Sequence, residues 1–199
     1  MTVNEGHCDT CLHRTSKTGK VTYFHNVVEA KLVTDNGFPI SMASEWIENR
    51  SGDYDKQDCE RKAFVRLAEN LKKEYPHLPI CIIADGLYPN QTFFDICKKN
   101  KWEWIVTFRD GNLPSVWEEV LCLKDITENN TRQRVVHTQG KTVLQNYTWI
   151  GDPDYQGFSV NWYECKEQIG DQTTRFVCLS SLKADYHSII ELTDAGRMR

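Results

Sequence analysis

The chain has 199 residues, 40% hydrophobic and 26% charged, which is ordinary globular composition with room for one core or for a domain and an insertion. Its formal net charge of −4 excludes a polycationic nucleic-acid wrapper and leaves any DNA contact to local patches. No apolar stretch is long enough to cross a bilayer and no secretory leader is evident, so the eight cysteines predict reduced thiols in a cytoplasmic protein with no membrane partner.

Residues 1–20 are polar, carry His7-Cys8-Asp9-Thr10-Cys11-Leu12-His13, and read as neither a packed strand nor a helix. Cys-x-x-Cys is a good zinc half-site, because zinc takes four nitrogen or sulfur ligands. Cys8, Cys11, His13 and His25, with His7, are the candidate zinc donors, set against a plain loop with reduced thiols. Residues 21–33 are β-branched and aromatic and predict a strand. Asp35-Asn36-Gly37 is a hairpin turn signal, and 38–47 return as the second strand. A polar loop at 49–55 leads into the clearest helix, 56–75. Cys59, Phe64, Leu67, Ala68, Leu71 and Tyr75 form its apolar stripe, Asp55 or Asp58 its cap, and Pro76 its stop.

The run Pro79-Ile80-Cys81-Ile82-Ile83-Ala84 then reads as a strand buried on both faces, ending in Asp85-Gly86-Leu87-Tyr88. A carboxylate at the carboxyl end of such a strand is where open α/β sheets place their chemistry, so Asp85 is a metal-ligand candidate. Asn90 caps a helix through about Lys99, and residues 102–108 form the next strand, giving a right-handed parallel βαβ unit. Pro114 starts a short helix to about Leu123. Residues 131–183 are short alternating segments with turn signals at Gln139-Gly140, Gly151-Asp152-Pro153, Gln156-Gly157 and Gly170-Asp171, which suits antiparallel strands. A final helix begins within 186–199. Among the scattered polar groups, Glu29, Glu45 and Asp110 read as solvent or turn carboxylates, and Arg109 and Lys101 as surface cations. Trp102, Trp104, Trp117, Trp149 and Trp162 read as packing residues.

The hairpin, Tyr54-Asp55-Lys56-Gln57-Asp58-Cys59-Glu60, the stretch from Leu78 to Tyr88, Trp104 to Gly111 and Ser115-Val116-Trp117-Glu118-Glu119 together resemble the catalytic domain of DDE-class transposases of bacterial insertion sequences. The resemblance implies a ribonuclease-H-like fold, an α/β mixed sheet of three antiparallel strands followed by two parallel ones. The hairpin would be its second and third strands, Asp85 would end the fourth, and residues 102–108 would be the fifth. The division it implies is a polar segment over 1–20 and a partial core over 21–123. A β-rich insertion over 124–183 and the start of a terminal helical region over 184–199 would follow.

The chemistry that such a domain performs is DNA strand cleavage and joining by in-line phosphoryl transfer on two divalent metals, Mg2+ or Mn2+, held by three carboxylates. Asp85 matches the second of the three. Asp9 lies in the Cys-x-x-Cys loop and is not assigned as the first, and Glu191 precedes the expected position of the third. The expectation is therefore a portion of a transposase, truncated at both ends and lacking the central first strand. It would be inactive alone, and its complete parent would bind transposon-end DNA, with a homodimer as a further expected partner. The rival expectation is a zinc-binding or regulatory fragment that inhibits an intact transposase.

Overall fold

Strand alternation and helical periodicity resolve into a mixed α/β structure in the computed structural model, which describes residues 2–3, 8–34, 36–49, 59–109, 111–127, 129–138 and 140–198. Two units divide the chain, Met1–Leu78 and Pro79–Arg199.

The first unit holds β1 (Thr2–Val3), β2 (Leu12–Thr15), β3 (Val21–Phe24), β4 (Asn26–Val33), β5 (Pro39–Ile47) and α1 (Glu60–Glu74). Strands β1, β3 and β2 form one antiparallel sheet in that order, and β4 and β5 form a separate hairpin. Two expectations change here. The strand expected over 21–33 breaks at His25, with β3 and β4 in different sheets. Part of the segment read as loop is a strand, β2, because Leu12 is drawn into a small core with Ile47 and Ala63, bordered by Phe24 and Val28. Such a tertiary contact leaves no periodic signature in a four-residue strand. The hairpin turn closes with the Gly37 amide on the Thr34 carbonyl at 2.8 Å and Gly37 at φ +79, a conformation that costs glycine nothing. Asp35 lies outside the described residues.

Helix α1 packs on β4 and β5 through the expected stripe, with Ala63, Phe64, Leu67, Ala68 and Leu71 buried. Cys59 occupies its N-cap without a side-chain cap bond, and the two expected caps, Asp55 and Asp58, lie outside the described residues. Tyr75 closes the helix with its amide on the Leu71 carbonyl, one residue before Pro76.

The second unit comprises β6 (Cys81–Ala84), α2 (Gln91–Asn100), β7 (Glu103–Thr107), α3 (Pro114–Lys124), β8 (Thr131–Thr138), β9 (Lys141–Ile150), β10 (Asp154–Tyr155), β11 (Phe158–Ser159), β12 (Asn161–Ile169), β13 (Gln172–Ser180) and α4 (Ile189–Gly196). Its six-stranded sheet runs β6-β7-β13-β12-β9-β8. Strands β6 and β7 pair in parallel across α2, as the βαβ pattern predicts, and every other pair is antiparallel. The late hairpins join the same sheet as the parallel pair, because β13 pairs with β7 at Cys178↔Thr107, Leu179↔Val106 and Ser180↔Ile105. Gly170 and Asp171 form the two-residue loop of β12 and β13, with Gly170 at φ +57.

Strand alternation sorts the apolar residues onto two faces. On one face Ile105, Tyr147, Trp149, Tyr163, Cys165 and Cys178 form a core with Ile189 of α4. The opposite face carries an aromatic layer. There Trp104 meets Phe93 and Phe94 of α2, and Phe108 stacks on Trp117 of α3 at 4.8 Å. Trp102, Trp104, Trp149 and Trp162 are buried and Trp117 is half-buried, as their reading as packing residues requires. Strand β6 departs from expectation: among the described residues it is an edge strand paired only with β7, and its residues are exposed or half-exposed rather than buried on both faces. No helix of the described residues is long and apolar enough to cross a membrane.

Candidate metal sites

Two places in the fold concentrate metal-binding chemistry. The first is the carboxyl end of the parallel pair. Asp85 follows β6 directly and is half-exposed. Its Oδ1 accepts the Leu87 amide at 2.8 Å and its carbonyl accepts the Tyr88 amide at 3.2 Å, so a tight turn holds the carboxylate at the strand tip. Gly86 lies close against the exposed Arg109 side chain. A Cβ there would stand 3.0 Å from Nε and 3.1 Å from Cδ of Arg109, which reaches over from the end of β7. The Gly86 carbonyl accepts Nδ2 of Asn112 at 2.9 Å. Asp85, Arg109 and Asn112 thus gather at one end of the sheet.

Asp110, in the same loop, lies outside the described residues. Lys101 sits away from this group, at the amino end of β7, where it closes α2 in the left-handed region at φ 57. The other candidate carboxylates lie elsewhere in the fold. Glu29 lies 3.1 Å from Lys31 and is held below the ordinary carboxylate range by a hydrogen bond from Ser41 and by Lys31. Glu45 accepts Nε of Arg66 at 2.5 Å. Glu191 is exposed in the first turn of α4, and Asp9 is exposed in the Cys8–Cys11 turn.

The second place lies in the first unit. Cys8 and Cys11 bracket a turn closed by the Cys11 amide on the Cys8 carbonyl at 3.2 Å. That turn puts both thiols on one side, with sulfurs 3.2 Å apart, and the Cys8 amide donates to the Cys11 sulfur at 3.3 Å. His25 stands at the junction of β3 and β4, its Nε2 3.3 Å from each sulfur. Among the described residues this trio is the group of histidine, cysteine and carboxylate side chains whose ligand atoms converge.

The Thr10 hydroxyl lies 3.3 Å from the Cys8 sulfur. Hydrogen bonds from Thr10, then from Cys11, bring the Cys8 thiol down to about 6, and its hydrogen bond with Cys8 pushes the Cys11 thiol up. His13 is not part of the cluster. It lies on β2 opposite Tyr23, ring centroids 6.3 Å apart. His7 lies outside the described residues. Of the scattered cysteines, Cys97, Cys165 and Cys178 are buried as expected, whereas Cys59, Cys81 and Cys122 are exposed.

Two groups escaped the sequence reading. Asn112 had no signal beyond its place after β7. Glu164 is a buried carboxylate on β12 whose Oε1 accepts Nε of Arg175 at 2.5 Å. Its Oε2 lies 3.1 Å from Nζ of Lys124 and 3.6 Å from Nζ of Lys166. Burial pushes this carboxyl up, and the hydrogen bonds from Arg175 and Lys124 outweigh that, so it lies below the usual range. The signal was faint: a carboxylate alternating with Trp162 on a strand, its partners 40 residues back and 11 ahead. Three cations satisfy it, so it is an ion cluster and not a metal site.

Comparison of the chain with protein-family models finds no match. Comparison with curated proteins likewise finds none.

Proposed function

We propose that this chain is a portion of a DDE-class transposase catalytic domain of ribonuclease-H-like fold, in which Asp85 is one of the carboxylates for Mg2+ or Mn2+. The observation that supports this reading best is the position of Asp85 at the tip of β6 in a parallel β6-α2-β7 unit, beside Arg109. A carboxylate for metal and a guanidinium for phosphate, at the carboxyl end of parallel strands, suit phosphoryl-transfer chemistry. The outer edge of β6, which pairs with no other strand among the described residues, also suits it, because a ribonuclease-H-like sheet seats its first strand there.

The described residues do not by themselves make a two-metal centre. Asp85 belongs to no convergent group of three potential ligands among them, and one carboxylate cannot hold two ions in register. The reading therefore gives a chain that is inactive alone and whose parent acts on transposon-end DNA. Asp85 would bind a single divalent ion weakly through one oxygen, and Arg109 would contribute charge to a phosphate.

Two measurements test this. Mn2+ at millimolar concentration is expected to broaden the amide signals of residues 84–88 and 109–112 in NMR spectra of the chain, and Asp85→Asn is expected to abolish the effect. Incubation of the chain with Mg2+ and plasmid DNA is expected to give no nicking. Absence of selective broadening around Asp85 would overturn its role, and nicking removed by Asp85→Asn would overturn the inactivity.

A further inference from the structure

We infer that Cys8, Cys11 and His25 bind one Zn2+ that joins the two small sheets of the first unit. This inference stands independently of the transposase reading. The donor set is two thiols and an imidazole, and soft thiolates with imidazole select zinc over magnesium or calcium. Geometry agrees with the chemistry. Around a tetrahedral zinc with Zn–S of about 2.3 Å and Zn–N of about 2.0–2.1 Å, two sulfurs stand about 3.8 Å apart and sulfur and nitrogen about 3.6 Å. The three separations here are 3.2, 3.3 and 3.3 Å, so each donor need move only a few tenths of an ångström outward. A disulfide fits less well, because its sulfurs stand about 2.05 Å apart.

Backbone geometry builds the site before any metal arrives. The Cys8–Cys11 turn aims both sulfurs the same way, and the Cys8 amide donates to the Cys11 sulfur at 3.3 Å, which holds that side chain in place. Pairing of β2 with β3 and the interruption between β3 and β4 at His25 bring the imidazole to the turn. Zinc takes a fourth donor beyond these three. Among the described residues no fourth histidine, cysteine or carboxylate converges on the trio.

The placement gives the ion a structural task. Cys8 and Cys11 lead into β2, in the β1-β3-β2 sheet, while His25 leads into β4, in the β4-β5 hairpin. Thr10, inside the turn, also accepts the Asn49 amide just beyond β5 at 2.9 Å. The apolar core beside them is small, centred on Leu12, Ile47 and Ala63. Small modules with small cores are those that metal ions stabilise, because binding free energy becomes folding free energy.

Zinc analysis of the reduced, purified chain tests the assignment. The expected result is one Zn2+ per chain, and in the metal-free chain one Co2+ with the visible spectrum of a tetrahedral thiolate site that added Zn2+ bleaches. Zinc is expected to protect Cys8 and Cys11 from alkylation while the exposed Cys59 and Cys122 react, as read by peptide mass spectrometry. Cys8→Ser and His25→Ala are expected to weaken zinc binding by more than the roughly 10–100-fold that loss of an outer-shell partner costs, and His13→Ala to leave it unchanged. Should the variants fail to fold, the wild-type Co2+ spectrum and the alkylation pattern still decide. Binding below one equivalent at micromolar zinc, a cobalt spectrum without thiolate bands, equal protection of Cys59, or loss of zinc in His13→Ala would each overturn it.

Discussion

Replacing Glu164 by Gln removes the anion from a buried cluster and leaves Arg175, Lys124 and Lys166 around a neutral amide. Breaking a fully buried ion pair costs about 3–5 kcal/mol. The carboxylate here is 3% exposed, but the side chains of Lys124, Arg175 and Lys166 are 35%, 38% and 50% exposed and can turn toward water once released. That solvent access lowers the expected loss to about 2 kcal/mol. With a urea dependence of about 2 kcal/mol per molar, the unfolding midpoint followed by tryptophan fluorescence falls by about 1 M.

The pH dependence separates charge from shape. The carboxyl of Glu164 is lowered on folding by Arg175 and Lys124 against the cost of burial. Its contribution is therefore fully present above the unfolded value of about 4.3 and is lost as pH falls through the lower folded value. Gln cannot titrate. The gap between wild type and Glu164→Gln is expected to be widest near pH 7 and to narrow as pH drops below about 4. An equal gap at pH 7 and pH 3.5 would show that packing, not charge, sets the effect, and would refute the reasoning.

Other perturbations follow from the second unit. Phe94→Ala empties the centre of the aromatic layer shared with Phe93, Trp104, Tyr155 and Phe158, and should cost about 3–5 kcal/mol in urea unfolding. A loss under 1 kcal/mol would mean that the layer closes over the gap. Asn90→Ala removes the cap whose Oδ1 accepts the Phe93 amide at 3.2 Å and should cost about 1 kcal/mol. Lys101→Gly should instead stabilise by up to about 1 kcal/mol, because a φ of 57 strains any side chain but not glycine. Destabilisation of that variant in thermal melts would give Lys101 a role beyond closing α2.

Local patterns carried much of the fold. The alternation after residue 131, the stripe of α1 and the Asn90 and Pro114 signals each rest on periodicity or capping within a few residues, and each element forms where the pattern places it. Strand β2 and the break at His25 were not legible, because a four-residue strand exists only through its partner and its core contact. The exposure of β6 was not legible either. An apolar run reports what a strand can bury, whereas its edge position depends on which strands pair beside it.

The candidate sites divide along the same line. Asp85 at a strand end and the Cys8, Cys11 and His25 donor types are properties of the sequence by itself, because residue chemistry and short spacing determine them. Tertiary structure decided that His25 and not His13 meets the two thiols, because β3 turns from one sheet into another at residue 25 while His13 stays on β2 opposite Tyr23. It likewise decided that Arg109 and Asn112 close on Gly86, and that Lys124 and Arg175 close on Glu164, since strand pairing and the packing of helix and loop on the sheet set which distant side chains become neighbours.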